Sequence, residues 1–421
     1  MTKRSKLKML RIGILNFAGH LNHGANLTAY ALQQAFSQLG HEAHNLHLHC
    51  NPAHHKWDIF TKFADEHIRL SSRCAAGVGD MQKFNKDYDV FVVGSDQVWR
   101  EADAPDFNWS WKTPHYACYH LAFAEPGKRR LAVAASFGND EYNAPEYIKA
   151  SLSRELKQFA AISVREQSAV GIVKDLTGVD ARQLIDPVFY ITPAEWGKFC
   201  RNADNGGDRK GRIAYNCFYH HKEMPGILEP LQGDYETYDL CSGDTYAWLT
   251  AIRHSDFVIT DSFHVMCFCL IFETPFACLA PAGQGEARFF SMSQLTGFPK
   301  SRVLCADKVS DLPGAIRAIM KEPLDWESIR QNISSLRQEA CAWLQESLTL
   351  PLPPWSGNPY RHASSREKRH ELKDNAAAHV CHIVRRNRAI VRFLLAFSPI
   401  ARTFLKRKKA FYDELLAKFA W

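Results

Sequence analysis

No stretch of about twenty uninterrupted apolar residues occurs in the 421 residues, which excludes an ordinary membrane-spanning helix. The most apolar region, 257–283, is broken by Asp261, His264 and Glu273 and reads as a buried strand, helix and strand. Cysteine is sparse, at 12 residues, and no CxxC pair is present. That excludes a disulfide scaffold and predicts reduced, mostly buried thiols rather than metal ligands. His44, His47, His49, His54 and His55 form a run that lacks the HxxxH spacing of a helical metal site. The run reads as a solvated loop, and no metal is expected. There is no internal repeat. Nor is there a signal-peptide pattern. Lys3, Arg4, Lys6 and Lys8 precede an apolar run, but Arg11 cuts it and Asn16 ends it. It reads as a first strand, and the expected location is the cytoplasm.

What is present is an ordinary globular composition, 46% hydrophobic and 23% charged, with 26 Phe and 10 Trp. The length suggests about two to three domains. The net charge of +7 is uneven: residues 361–421 carry a net +10 and the rest a net −3. Such a tail points to an anionic partner. Within it Val380, Ile383, Val384, Ile390, Val391, Leu394 and Leu395 fall on one side at helical spacing, and Arg385, Arg388 and Arg392 on another. Lys406, Arg407, Lys408 and Lys409 follow, flanked by Phe404, Phe411, Phe419 and Trp421. This is the pattern of a peripheral anchor on an anionic membrane surface. The bland alternative is an apolar stripe packed on the protein's own domains. No nucleic acid is expected as a partner.

Short runs rich in Val, Ile and Phe alternate with helical patterns from residue 11 to 305, which predicts an α/β fold with mainly parallel sheets. The polar stretch Asn202–Lys210 reads as a linker, after which the alternation restarts. The expected organisation is a first Rossmann-like domain over 1–195, a second over 196–350, and a linker with a basic amphipathic tail over 351–421. In such folds ligands bind beyond the carboxyl ends of parallel strands.

Three strand ends carry polar residues. After Val92-Val93 come Gly94, Ser95, Asp96 and Gln97. Gly94 permits a tight turn, and the polar groups could hold a substrate hydroxyl or cap a helix. After Ile162-Ser163-Val164 comes Arg165, whose planar fork suits a phosphate or carboxylate, or an ion pair with Glu166. After Val258-Ile259-Thr260 come Asp261, Ser262, Phe263 and His264. A His in a helix's first turn sits where an anion can bind and can move protons near neutral pH. The alternative makes Asp261 or Ser262 an N-cap and His264 a core histidine.

Taken as an ordered series, these stretches resemble the polysaccharide pyruvyl transferase family. The matching segments are residues 24–32 with Asn26, Gly94 to Trp99, Ala134 to Gly138, Ser163 to Glu166, Asp186 to Phe189, and Thr260 to His264 with Pro275-Phe276 downstream. The resemblance implies two Rossmann-like domains facing a cleft, as in GT-B glycosyltransferases. It implies transfer of a pyruvyl group from phosphoenolpyruvate to a sugar of a cell-surface polysaccharide or its precursor, such as a lipid-linked oligosaccharide, as a cyclic ketal, with no cofactor. It implies His264 and Arg165 as catalytic residues. Ser262, Asp261 and Arg288 would lie on the donor side, and Ser95, Asp96, Gln97 and Asn26 on the acceptor side. Some members carry an Arg two residues before the His, where this chain has Ser262. Arg288, in a Gly-rich loop, and Arg302 are the candidates to replace it. The rival readings are a GT-B glycosyltransferase using a nucleotide sugar and a non-enzymatic adaptor with a basic tail.

Overall fold

The run that opens at Arg11 is the first strand of a parallel sheet, and the alternation that follows builds two such sheets. The computed structural model describes residues 9–18, 22–48, 58–75, 78–100, 116–144, 146–201, 211–281 and 285–355. The first sheet contains β1 (Arg11–Leu15), β2 (Glu42–Leu48), β3 (Leu70–Ala75), β4 (Val90–Val93), β5 (Arg129–Ala135), β6 (Ala161–Val164) and β7 (Arg182–Gln183). Its order is β3-β2-β1-β4-β5-β6-β7, parallel throughout. The smaller sheet contains β8 (Gly211–Asn216), β9 (Tyr235–Asp239), β10 (Phe257–Thr260), β11 (Phe276–Ala280) and β12 (Val303–Cys305). Its order is β12-β11-β10-β8-β9, again parallel. Helices of nine or more residues are α1 (His23–Gln38), α2 (Asp58–His67), α3 (Glu146–Leu156), α4 (Gln167–Thr177), α5 (Thr245–Arg253), α6 (Phe263–Phe272), α7 (Ala287–Thr296), α8 (Leu312–Lys321) and α9 (Trp326–Ser347).

Central strands are covered on both faces, so β4 and β10 read as unbroken apolar runs and every residue in them is buried. The largest apolar core joins Ile12, Leu27 and Val92 of the first lobe to Val258, Phe263 and Met266 of the second. The lobes therefore meet through packed side chains. Helix α9 bridges them as well. Near its start Arg330 donates to both oxygens of Glu273, at 2.8 and 2.9 Å. Further on, Arg337 donates to the Phe189 carbonyl at 2.6 Å, and Arg129 donates to the carbonyl of Ser347.

Helix α1 begins at His23, where the Asn22 side chain caps it by accepting the Ala25 N–H at 3.1 Å, so the segment 24–32 lies wholly within it. Strand β7 ends at Gln183, short of the segment Asp186 to Phe189. Asp186 accepts the Val188 N–H, and Pro187, which has no N–H, opens a short 3-10 turn. His44 and His47 lie on β2, not in a loop, while His49, His54 and His55 fall outside the described residues. So do Asn202–Lys210 and the whole tail beyond residue 355. All described cysteines are free, but only Cys118, Cys267, Cys269 and Cys278 are buried. No described helix is long and apolar enough to cross a membrane.

Candidate active site

Strand order reverses at β1/β4 in the first sheet and at β8/β10 in the second. Such switch points open a crevice at the carboxyl ends of the strands. Four segments leave these ends: α1 after β1, residues 94–97 after β4, residues 217–220 after β8, and residues 261–264 after β10.

His264 sits in the first turn of α6 and is 7% exposed. Its Nε2 lies 3.0 Å from the Thr28 hydroxyl on α1. A Cβ added at Gly24 would overlap the imidazole, so the first turn of α1 lies directly against it. The N-terminal turns of two helices thus converge on one histidine, and both bring partial positive charge. Ser262 occupies the N-cap of α6 without making a capping bond. Burial lowers the His264 pKa, Asp96 and Asp186 pull it back up, and Arg165 and Arg288 push it down. The net direction is down, so the ring is neutral at neutral pH.

Arg165 leaves the end of β6 almost fully buried. It donates to Asp186 at 3.1 Å and to Asp96 at 3.4 Å, and its guanidinium lies 4.2 Å above the Phe263 ring. Its Nε makes no hydrogen bond, and Glu166 Oε2, also unbonded, is 3.9 Å away. Glu166 accepts from the Ser136 hydroxyl and the Phe137 N–H, both at 2.9 Å, yet burial raises its pKa. Burial alone would raise Asp96 too. His264 in its protonated form, Arg165, the Gln97 N–H and Arg288 outweigh it and hold that carboxyl below its ordinary value. Asp96 keeps a positive φ of 75°.

Arg288 is found in the first turn of α7 rather than in a loop, and it is 5% exposed. Its Nε donates to the Gly285 carbonyl at 3.0 Å. Burial and then Arg165 lower its pKa to about 10, which leaves it charged. It acts on the charges of His264, Asp96 and Glu166. Arg302, the other candidate, instead donates to the backbone carbonyls of Phe276 and Glu322. Of the two, Arg288 is the one that acts on His264 and Asp96.

Other residues singled out in the sequence have different placements. Ser95 is fully buried, and its hydroxyl lies 2.8 Å from the Ala134 carbonyl and 2.9 Å from Asp186. Its one proton is engaged, so it orients Asp186 and the turn instead of facing the crevice. Asn26 is fully buried and donates to the Phe60 carbonyl at 3.0 Å, tying α1 to α2. Gln97 accepts from Arg100 at 2.7 Å, close to Gly138. Asp261 accepts the backbone N–H groups of Phe218, Tyr219 and His220 at 2.8, 2.7 and 3.1 Å. It fixes a loop rather than meeting a donor anion. The sequence pattern assigned no role to Thr28, Gly24 or Asp186, and gave Glu166 only as an ion-pair partner of Arg165. Asp186 is a fully buried carboxylate that gathers Ser95, Arg165 and the Val188 N–H.

Two packed α/β lobes with parallel sheets, and His264 at the strand ends between them, define a GT-B-like fold. UDP-GlcNAc 2-epimerase from Methanocaldococcus jannaschii shares the fold at 11% identity and a TM-score of 0.50, over 80% of this chain and 99% of that one. A UDP-N-acetylglucosamine 2-epimerase from Rickettsia bellii is 10% identical, with a TM-score of 0.48 over 80% and 99% of the two chains. A spinosyn forosaminyltransferase is 13% identical, with a TM-score of 0.45 over 82% and 96%. No curated protein sequence matches the chain. Residues 22–283, well over half of the chain, match the polysaccharide pyruvyl transferase family, and the chain belongs to it. It is accordingly a transferase.

Proposed function

We propose that the protein transfers the pyruvyl group of phosphoenolpyruvate to two hydroxyls of one sugar in a cell-surface polysaccharide or its precursor, closing a pyruvate ketal. The observation that carries the reading is the His264 crevice: one neutral imidazole at two helix N-termini, with Arg165 and Arg288 beside it. A donor with a carboxylate and a phosphate suits that concentration of positive charge. Neutral His264 can take the proton of the first attacking hydroxyl and deliver it to the methylene carbon, so that the C2=C3 π pair forms the new C–H bond as the oxygen bonds to C2 of the donor. Asp96 and Asp186 favour the imidazolium so formed. The methylene carbon thereby becomes the methyl group, with phosphate still on C2. Attack by the second hydroxyl expels phosphate, which leaves with that hydroxyl's proton. Arg165 and Arg288 balance the charge on the departing phosphate.

Purified protein incubated with phosphoenolpyruvate and cell-envelope glycan precursors should release phosphate. The glycan should gain the mass of pyruvate less water. Release of a nucleoside diphosphate from a nucleotide sugar, with phosphoenolpyruvate untouched, would overturn the reading in favour of glycosyl transfer. For the basic tail we propose a hold on an anionic membrane surface, which suits a lipid-linked acceptor. Full-length protein should sediment with anionic vesicles at low salt, and a version ending at Asn358 should not.

A further inference from the structure

We propose that Phe218 and Tyr219 form the platform on which the pyranose ring of the acceptor sugar stacks; the inference rests on the pyruvyl-transfer reading above. Both residues follow β8 at the reversal of strand order in the second sheet, the place where such sheets receive ligands. The turn that carries them is pinned. One buried carboxylate, Asp261, accepts three successive backbone N–H groups from it. Yet the side chains on this fixed turn stand in water, Phe218 at 54% exposure and Tyr219 at 38%. Single exposed apolar side chains need no explanation, but two adjacent rings held outward by an internal anchor do. Asp261 also opens the segment that carries His264 into the first turn of α6, so the same carboxylate ties this turn to the histidine-bearing element.

The chemistry of the reaction selects the occupant. A pyranose has a C–H face and a hydroxyl rim. The negative face of an aromatic ring attracts those C–H groups. Stacking therefore holds the sugar by its face and leaves hydroxyls free. A ketal-forming site needs two of them unoccupied, which a clamp of hydrogen bonds would not permit.

Full-length protein is compared with Phe218→Ala, Tyr219→Ala and Tyr219→Phe. Saturation-transfer NMR with methyl glucoside, galactoside and mannoside reads binding without turnover, and UDP serves as a second probe. Ring C–H protons of at least one pyranoside should saturate with the parent protein, fade in both Ala variants and persist in Tyr219→Phe. In turnover the acceptor KM should rise about tenfold in the Ala variants, with the phosphoenolpyruvate KM unchanged. Unchanged saturation and acceptor KM in folded Ala variants would overturn the platform. So would saturation of UDP base protons, lost in the same variants, with no pyranoside signal. If phosphoenolpyruvate is never consumed but pyranoside saturation still depends on these rings, the platform stands and pyruvyl transfer falls.

Discussion

His264 owes its proton affinity to its surroundings. Burial and two arginines keep it neutral, while Asp96 and Asp186 limit the fall. A base that is unprotonated at rest but favoured as a cation during reaction is suited to carrying one proton from oxygen to carbon. His264→Ala should lower turnover by roughly 10²–10⁴ while leaving the fold intact. Steady-state kinetics beside a thermal melt checks this, and near-normal turnover in a folded variant would remove His264 from the mechanism. Arg165 shows why a choice between clamp and ion pair cannot be made from spacing alone. It is ion-paired to Asp96 and Asp186, and it also lies over Phe263, next to His264. Those partners are distant in the chain, so only the tertiary fold brings them together.

At the level of elements, α1 is more than a cover for the sheet. Its Gly24 lets the helix approach the imidazole, and its Thr28 orients that ring. Gly24→Ala should displace His264 without altering its chemistry. Turnover is expected to fall by at least about tenfold, against a smaller loss of stability than a core cavity causes. A crystal structure of the variant and its kcat test this together; an undisturbed ring with reduced kcat would contradict the steric argument. The elements legible in the sequence were those with continuous apolar strands closed by Gly, Ser, Asp or Arg, such as β4, β6 and β10. The elements missed had polar residues. Strand β2 reads Glu-Ala-His-Asn-Leu-His-Leu, and edge strand β9 reads Tyr-Glu-Thr-Tyr-Asp, with no buried residue in it. Pairing to β1 and β8 makes them strands, and pairing is not a local property. The site followed the same rule. His264, Arg165 and Asp96 stood out as polar ends of apolar strands. Ser95 had the same local look, whereas Asn26 entered only through the family resemblance; both turn inward, toward Asp186 and Phe60.

At the scale of the molecule, several buried histidines make stability depend on pH. Burial, chiefly, lowers His23 from 6.5 to about 4 and His120 to about 3, and it lowers His264 as well. The unfolded chain takes up these protons near pH 6.5, whereas the folded chain resists until far lower pH. The unfolded state thus binds more protons in this window, and stability falls as pH falls. The contribution is whole above about pH 6.5 and drains away toward pH 4 and below. Melting temperature should decline steadily from pH 7 to pH 4, and His23→Gln should flatten the decline. A pH-independent melting temperature across that range would contradict it.

Helix α9, anchored to Glu273 at one end and to Phe189 and Arg129 further along, has a thermodynamic meaning. The division at about residue 195 is architectural. It separates two sheets, but not two cooperative units. Unfolding the second lobe would strip α9 from the first and bare the shared core around Ile12 and Val92, so neither lobe keeps a folded reference state of its own. The pair should therefore unfold in a single transition, and a gene fragment encoding either half would specify a chain with an open apolar face.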